Sequence, residues 1–409
     1  MIRVFVSAVM CLCGVFSANK LTAHDFSGLA LSNMESSRVI DNGTGLQLDL
    51  SLSQGVPWRV FTLIEPPRLV LDFREVDWQG FDLSAFDAAE RAVDVRVGGF
   101  RPGWSRMVVE LAGPFGLASA DMDVDVTDGT AALKVRLAPK SQADFAAESG
   151  MPNAPGWDGH TETPVVNLPP KANDDDSFVV IIDPGHGGID PGAEQGGVME
   201  KNLMLAFAKE LKEVLLRRED MQVILTRQDD SFVSLERRVA IAHQAGADLF
   251  LSLHADALSE GKAEGATVYT LSERASDKAS AAMAERHNRA DLMAGVDLTG
   301  TDDVVADVLM DLARLETKPR AIQLRDAIHL SLQKNKLPLN ARPLREAGFS
   351  VLKSPDIPSV LLELGFLSSE KDRKNISDPK WRAEVAKAVG EAISAWRLTD
   401  AAVSDLVRQ

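Results

Sequence analysis

Phe178-Val179-Val180-Ile181-Ile182-Asp183-Pro184-Gly185-His186-Gly187-Gly188 decides the fold of the larger part of this chain. Five apolar residues in succession, four of them β-branched, suit a strand buried on both faces, as in a parallel sheet covered by helices. The proline and three glycines that follow let the backbone turn sharply and leave one imidazole, His186, at the carboxyl end of that strand. Open α/β sheets bind their ligands at that edge.

Working downstream, Met221 to Thr226, Leu249 to Leu253, Ala266 to Leu271 and Ser359 to Leu364 have the same strand character. Between the first two strands, Leu203, Phe207, Leu211, Val214 and Leu215 recur every three or four residues, the stripe of a half-buried helix. Residues 178–400 are therefore expected to form an α/β domain, a mostly parallel sheet with helices on both faces.

Working upstream, residues 24–138 read as a small all-β sandwich. Leu46-Gln47-Leu48-Asp49-Leu50-Ser51-Leu52 alternates strictly, and Trp58 to Leu63, Arg68 to Phe73, Val93 to Val97, Arg106 to Leu111 and Lys134 to Leu137 are further strand-like runs. Residues 139–177 hold Pro139, Pro152, Pro155, Pro164, Pro169, Pro170 and Asp174-Asp175-Asp176 without any period, the texture of an extended linker. The charge run fits a solvated tether better than a metal site.

Residues 1–23 read as a secretory signal peptide. A short positive start, Met1-Ile2-Arg3, precedes the apolar run Val4 to Phe16, too short to cross a bilayer core of about 30 Å. Cleavage after Ser17 and after Ala23 both satisfy the pattern. Cys11 and Cys13, the only cysteines, would leave with the signal, so the exported chain, expected in the periplasm, would carry no disulfide. No later stretch approaches the roughly 20 apolar residues of a membrane span, so none is expected in the mature chain. With 44 Lys plus Arg against 60 Asp plus Glu, the formal charge of -16 disfavours nucleic acid as a partner. The 409 residues, 45% hydrophobic and 25% charged, are ordinary globular composition.

The chemistry gathers at strand ends. Glu200 opens the Leu203 to Arg217 helix, where the helix dipole favours an ionised carboxylate. His254, in Ser252-Leu253-His254-Ala255-Asp256, directly follows a buried strand. With His186 these make two imidazoles and one carboxylate, a zinc set that leaves a coordination position for water. Glu363 interrupts Val360-Leu361-Leu362 and Leu364, and a carboxylate inside a buried strand is expensive unless it pairs or works. It can serve as general acid/base beside a metal, or form an ion pair with an arginine such as Arg227.

Taken in order, Val180 to Gly188, Glu200-Lys201-Asn202-Leu203, Leu225-Thr226-Arg227, Ser252 to Asp256 and Val360-Leu361-Leu362-Glu363-Leu364-Gly365-Phe366-Leu367-Ser368 resemble the motifs of the zinc-dependent N-acetylmuramoyl-L-alanine amidases that separate daughter cells. The resemblance runs from about Phe178 to Trp396. It implies that His186, Glu200 and His254 bind Zn2+, that Glu363 is the catalytic acid/base, and that the substrate is peptidoglycan, cut between the lactyl group of muramic acid and the first L-alanine. Asp183 is expected to orient His186 or to form an Asx turn. Upstream, Pro67-Arg68-Leu69-Val70-Leu71-Asp72-Phe73 and Val95-Arg96-Val97-Gly98-Gly99-Phe100 resemble the AMIN domain that precedes such amidases, which implies wall binding and recruitment to the division site. The alternatives are a zinc peptidase acting on stem peptides and an inactive wall-binding adaptor.

About 75 residues, 272–347, separate the strand ending near Leu271 from Gly348, far more than an ordinary α/β connection. Ser280 to Met293 and Asp302 to Leu315 read as helices. The second would be capped by Thr301 and carry the stripe Val305, Val308, Leu309, Leu312 and Leu315, with the pattern disrupted at Pro319. Relatives activated by LytM-type proteins at the division septum carry a metal-covering insertion here, and this chain resembles that branch. His287 stands where a glutamate caps the metal in relatives, so it is the candidate inhibitory fourth ligand, with Glu285 the competing residue and a plain surface histidine the ordinary alternative.

Overall fold

The computed structural model describes residues 30–74, 76–101, 103–125, 127–151, 177–218, 221–258, 263–294 and 304–407. Residues 1–23, read as a signal peptide, lie outside the described residues, as do 152–176 of the linker, Thr301 to Asp303, and the side chains of 304–316 that carry the second helix's stripe.

The first domain is a two-sheet sandwich. Its strands are β1 (Ala30–Asn42), β2 (Gly45–Leu52), β3 (Trp58–Leu63), β4 (Arg68–Arg74) and β5 (Val76–Asp77). After a short helix, α1 (Leu83–Phe86), come β6 (Ala92–Arg101), β7 (Trp104–Leu111), β8 (Phe115–Val124) and β9 (Ala131–Pro139). One sheet runs β5-β1-β2-β9-β8 and the other β3-β4-β7-β6. The alternation read in β2 is realised: Leu46, Leu48, Leu50 and Leu52 are buried and meet Leu71, Phe73, Met107 and Val109 from the facing sheet. Strands β1 and β8 were not legible, since β1 is largely polar and β8, with no regular alternation, is mostly exposed or half-buried.

The expected linker begins later than read. Gln142–Glu148 forms α2, capped by the Ser141 hydroxyl, with Phe145 fully buried. Ser149 and Gly150 then bond Thr62 of β3. Seven residues with one large apolar side chain give no period to detect, yet one buried phenyl and a cap suffice to fold them back.

The second domain holds β10 (Phe178–Pro184), the hairpin β11 (Glu194–Gln195) and β12 (Val198–Met199), α3 (Glu200–Leu216), β13 (Met221–Leu225), α4 (Leu235–Ala245), β14 (Leu249–His254) and β15 (Ala266–Leu271). There follow α5 (Lys278–Asn288), α6 (Ala290–Met293), α7 (Val304–Lys334), β16 (Leu339–Ala347), β17 (Ser359–Glu363), α8 (Glu370–Ser377) and α9 (Pro379–Val407). The sheet order is β13-β10-β14-β17-β15-β16, parallel throughout except for the β15–β17 pair. α3, α7 and α9 cover one face through Phe207, Leu211, Leu324, Ile328, Val389 and Trp396. α4, α5 and the 348–352 segment cover the other through Ile241, Met283, Phe349 and Val351.

The insertion is smaller than 272–347. β16 is a strand of the sheet, and Ala321, Leu324, Ile328 and Leu332 of α7 belong to the core. α7 also runs through Pro319 without ending. Proline forfeits one helical hydrogen bond and clashes with the preceding turn, but the buried stripe that follows holds the helix. What remains of the insertion among the described residues is α5, α6 and the start of α7, and α5 itself packs on the core through Met283 and Ala284.

Candidate active site

The strand carrying His186 ends in a loop with unusual backbone: His186, Gly187 and Gly188 all have positive φ, at 60°, 131° and 58°. Two buried arginines hold that loop from behind. Arg238 donates to the carbonyls of Pro184 and His186, and Arg227 to those of Pro184, Gly185 and Lys201. Arg227 is therefore a scaffold of the loop and not an ion-pair partner of Glu363.

Asp183 does not orient His186. It is buried among Thr226 Oγ1, Ser252 Oγ and Arg238 Nη1, at 2.6, 2.7 and 2.6 Å, and ties β10 to the ends of β13 and β14. The residue that orients the imidazole is Asp190, whose Oδ2 lies 2.7 Å from His186 Nδ1. Sequence reasoning missed it. An acid four residues after a histidine, inside a turn built of glycine, was the available signal.

Glu200 is the first residue of α3 and fully buried. Its Oε1 lies 3.0 Å from His254 Nδ1 and its Oε2 3.3 Å from His186 Nε2, while the backbone N–H groups of Ala255 and Ala193 donate to the same two oxygens. Close packing sets this geometry. A Cβ on Gly185 would sit 2.2 Å from His254 Cε1, and one on Gly192 would sit 2.8 Å from Glu200 Oε2.

His254 and Glu363 end β14 and β17 and stand opposite each other in the parallel ladder. Glu363 accepts from the Asp256 N–H through Oε2. Burial, then the charges of Glu200 and Asp256, hold its carboxyl well above the usual range. Burial opposes the charge on His186, but Asp190 and Glu200 outweigh it and raise its pKa well above the ordinary value. Burial and the neighbouring His287 lower that of His254 to about 4.

The fifth group is His287, in the last turn of α5. Its ring centroid lies 4.3 Å from that of His254 and 5.6 Å from that of His186, and the ring is buried against Phe349. Glu285, two residues earlier, is exposed and faces away. Three residues missed in the sequence hold α5 and α6 down. Arg286 reaches Asp256 at 2.5 Å, Asn288 bonds both the Gly348 carbonyl and the Ser350 N–H, and Asp291 accepts from the Leu235 N–H. The cavity left between the three imidazoles, Phe232 and Phe349 is about 20 Å³, room for about one water.

The donor set suits a metal. One nitrogen from each of His186, His254 and His287 falls within 4.8 Å of the others. His186 Nε2, both His287 nitrogens and Glu363 Oε1 are buried with no hydrogen-bond partner among the described residues, an arrangement that needs an explanation. Two ligands of one tetrahedral ion at about 2.0–2.1 Å lie about 3.3 Å apart, close to the Glu200-to-imidazole spacings.

An imidazole–carboxylate set with a second buried glutamate beside it, at the carboxyl edge of a mostly parallel sheet, is the equipment of a hydrolase that works through water. The comparisons with known proteins give the class. Residues 180–395 match the N-acetylmuramoyl-L-alanine amidase family and residues 36–137 match the AMIN domain. AmiA of Escherichia coli (strain K12), an N-acetylmuramoyl-L-alanine amidase, is 40% identical over 248 residues, 60% of this chain and 85% of that protein. AmiC of Escherichia coli O6:H1 is 31% identical over 393 residues, 92% of each chain. The solved AmiC2 of Nostoc punctiforme is 26% identical, covers 54% of this chain and 97% of that one, and has a TM-score of 0.40.

The chain belongs to the N-acetylmuramoyl-L-alanine amidase family, with an AMIN domain before the catalytic domain. It is a peptidoglycan hydrolase of the bond between N-acetylmuramic acid and L-alanine, which decides against a stem-peptide peptidase and against an inactive adaptor. It acts outside the cytoplasm, and no helix among the described residues is long and apolar enough to cross a membrane.

Proposed function

We propose that this amidase is a zinc enzyme whose metal is held by His186, Glu200 and His254, and that it rests in a closed state in which His287 takes the fourth position. The observation that carries this reading is the convergence of His186, Glu200, His254, His287 and Glu363, four of them buried and three with unpartnered buried atoms. Bound there, zinc would supply Lewis-acid chemistry, acidifying water and polarising the amide carbonyl.

The chain's own residues do the rest. Asp190 takes the Nδ1–H of His186 and so leaves Nε2 bare toward the metal position. Glu200 balances charge and spaces the two imidazoles. Glu363, its Oε1 free and its proton affinity raised, takes a proton from the attacking water and returns it to the amine of L-alanine as the amide breaks. With α5 in place the lactyl amide cannot reach Glu363, so opening requires Arg286, Asn288 and His287 to let go. We assign that task to a LytM-type protein partner at the septum, with the leader at residues 1–23 delivering the enzyme to the periplasm and the AMIN domain engaging the wall.

The test is a digest of purified peptidoglycan with products assigned by mass, run with zinc, with a chelator, and with His287→Ala. Glycan free of peptide, abolished by chelation and restored by zinc, is expected. His287→Ala should raise hydrolysis in the absence of any activator, and an unchanged rate would sink the lock.

A further inference from the structure

The β3-β4-β7-β6 sheet of the AMIN domain has two apolar faces, and only one belongs to the sandwich's own core. On β4, Leu69, Leu71 and Phe73 point into that core. Val70 lies between them, points outward, and is nevertheless 0% exposed. Phe61 and Leu63 of β3 and Val108 of β7 share this outer face. The catalytic domain covers them with Ile189 from the His186 loop, Phe232 from the approach to α4, and Ala294 directly after α6.

The approach is backbone to backbone. Ile189 N donates to Gly99 O at 2.9 Å. A Cβ on Gly98 would lie 2.7 Å from Ile189 Cα, and one on Gly188 would lie 2.0 Å from Gly99 O. Val97-Gly98-Gly99-Phe100, first noted as a mark of the AMIN domain, is thus the seat of the metal-site loop. Beside it Arg106, 1% exposed, grips Asp72 and donates Nη1 to the Ala294 carbonyl at 3.2 Å. Its guanidinium lies 3.5 Å over the Phe100 ring, which stacks on Phe232 at 5.8 Å. Arg96 Nη1 stands 3.7 Å from Asp190 Oδ1, on the carboxylate whose other oxygen holds His186.

We infer that the AMIN domain is an inhibitory clamp: docked through this face, it holds the His186 loop and the far end of the α5–α6 lock together in the closed arrangement, and the amidase opens as the domains part. The inference rests on the proposed lock and adds its second anchor. The near end of the lock is fixed within the catalytic domain by Asp277 with Arg345 and by Asn288. The far end is gripped by a different domain, so the free energy of domain docking is added to that of closure, and the two are coupled reciprocally.

The experiment uses the full-length zinc-loaded enzyme without activator and compares Val70→Lys, Phe100→Ala and His287→Ala. Three quantities are read: hydrolysis of purified peptidoglycan, amide hydrogen exchange over residues 287–294, and the thermal transitions of both domains. A lysine at position 70 cannot remain buried against Ile189 and Phe232, but is solvated once the domains part. Val70→Lys should raise basal hydrolysis about five- to tenfold and speed exchange over 287–294, with both transitions retained. A folded Val70→Lys with unchanged exchange, or with slower hydrolysis, overturns the clamp. If the lysine unfolds the sandwich, Phe100→Ala is judged by the same measure, and unchanged exchange there overturns it equally. Should His287→Ala activate while neither AMIN variant alters exchange, the clamp fails and the lock stands. Should both AMIN variants speed exchange and raise hydrolysis while His287→Ala leaves hydrolysis unchanged, His287 is not the blocking group and the inhibitory domain contact stands.

Discussion

Asn288→Ala probes the closed state without removing any of the proposed metal ligands. The side chain is half-buried at the end of α5; Nδ2 donates to the Gly348 carbonyl at 2.8 Å and Oδ1 accepts from the Ser350 N–H at 2.7 Å. Each such bond contributes about 0.5–1.5 kcal/mol net, so truncation should remove about 1–3 kcal/mol. That loss falls on the closed state alone, because water satisfies both backbone groups when α5 swings away. The open population, and with it activator-independent hydrolysis, should therefore rise about 5- to 150-fold, up to the point where the open form predominates. Release of dye from labelled sacculi reads the basal rate, and the same assay with saturating activator should give the wild-type rate. Combining Asn288→Ala with His287→Ala should give less than the product of the single effects, because both act on one population that saturates. A variant whose α5 amides exchange faster while basal hydrolysis stays at the wild-type level would refute the reasoning, since the lock would then be loosened without being what limits the enzyme.

Three further outcomes are expected. Glu363→Gln should lower hydrolysis by about 10²–10⁴-fold with metal content unchanged and the melting temperature held or raised, because a buried carboxyl pressed by Glu200 and Asp256 is replaced by a neutral amide; a retained rate would remove Glu363 from the chemistry. Asp190→Asn should weaken metal binding about 10–100-fold in chelator competition, since it takes the carboxylate from His186 Nδ1, and unaltered affinity would count against that role. Asp291, on α6, has its pKa raised to about 6, by burial first and then by the charges of Asp190 and Glu236, against the Leu235 N–H and Arg238. A carboxyl that binds its proton more tightly folded than unfolded makes the fold lose stability as pH rises from about 4 to 6. Between pH 7 and 5 the wild type should accordingly gain melting temperature relative to Asp291→Asn, and parallel pH profiles of the two proteins would contradict this.

What the sequence showed, it showed where the physics is local. Phe178 to Ile182 reads as a strand because both of its faces are buried, so its apolar run needs no partner to be noticed. His186, Glu200, His254 and Glu363 stand at strand ends or a helix start, each inside a short motif. Asp183 was misread for a geometric reason. The last residues of a strand alternate in direction, and its side chain turns across the sheet to Thr226 and Ser252, so the role went to Asp190 further along the turn. The extent of the insertion was misjudged because nothing in Leu339 to Ala347 distinguishes a sixth strand from a connection; that strand is defined by its pairing with β15.

The contact between domains is the hardest feature to read, since Arg106 and the Ala294 carbonyl are 188 residues apart in the chain. One signal was nevertheless present. A strand in a two-layer sandwich faces the core on one side and water on the other, and β2 and β9 alternate as that demands. In Arg68-Leu69-Val70-Leu71-Asp72-Phe73 the outward positions hold Val70 between two charged residues, and all six residues are buried. A strand of this kind in the middle of a sandwich sheet needs a third layer over its outer face. The layer that covers it here is the loop carrying His186 together with Phe232 and Ala294, so the burial of the outer face of β4 and the placement of the His186 loop have the same structural cause.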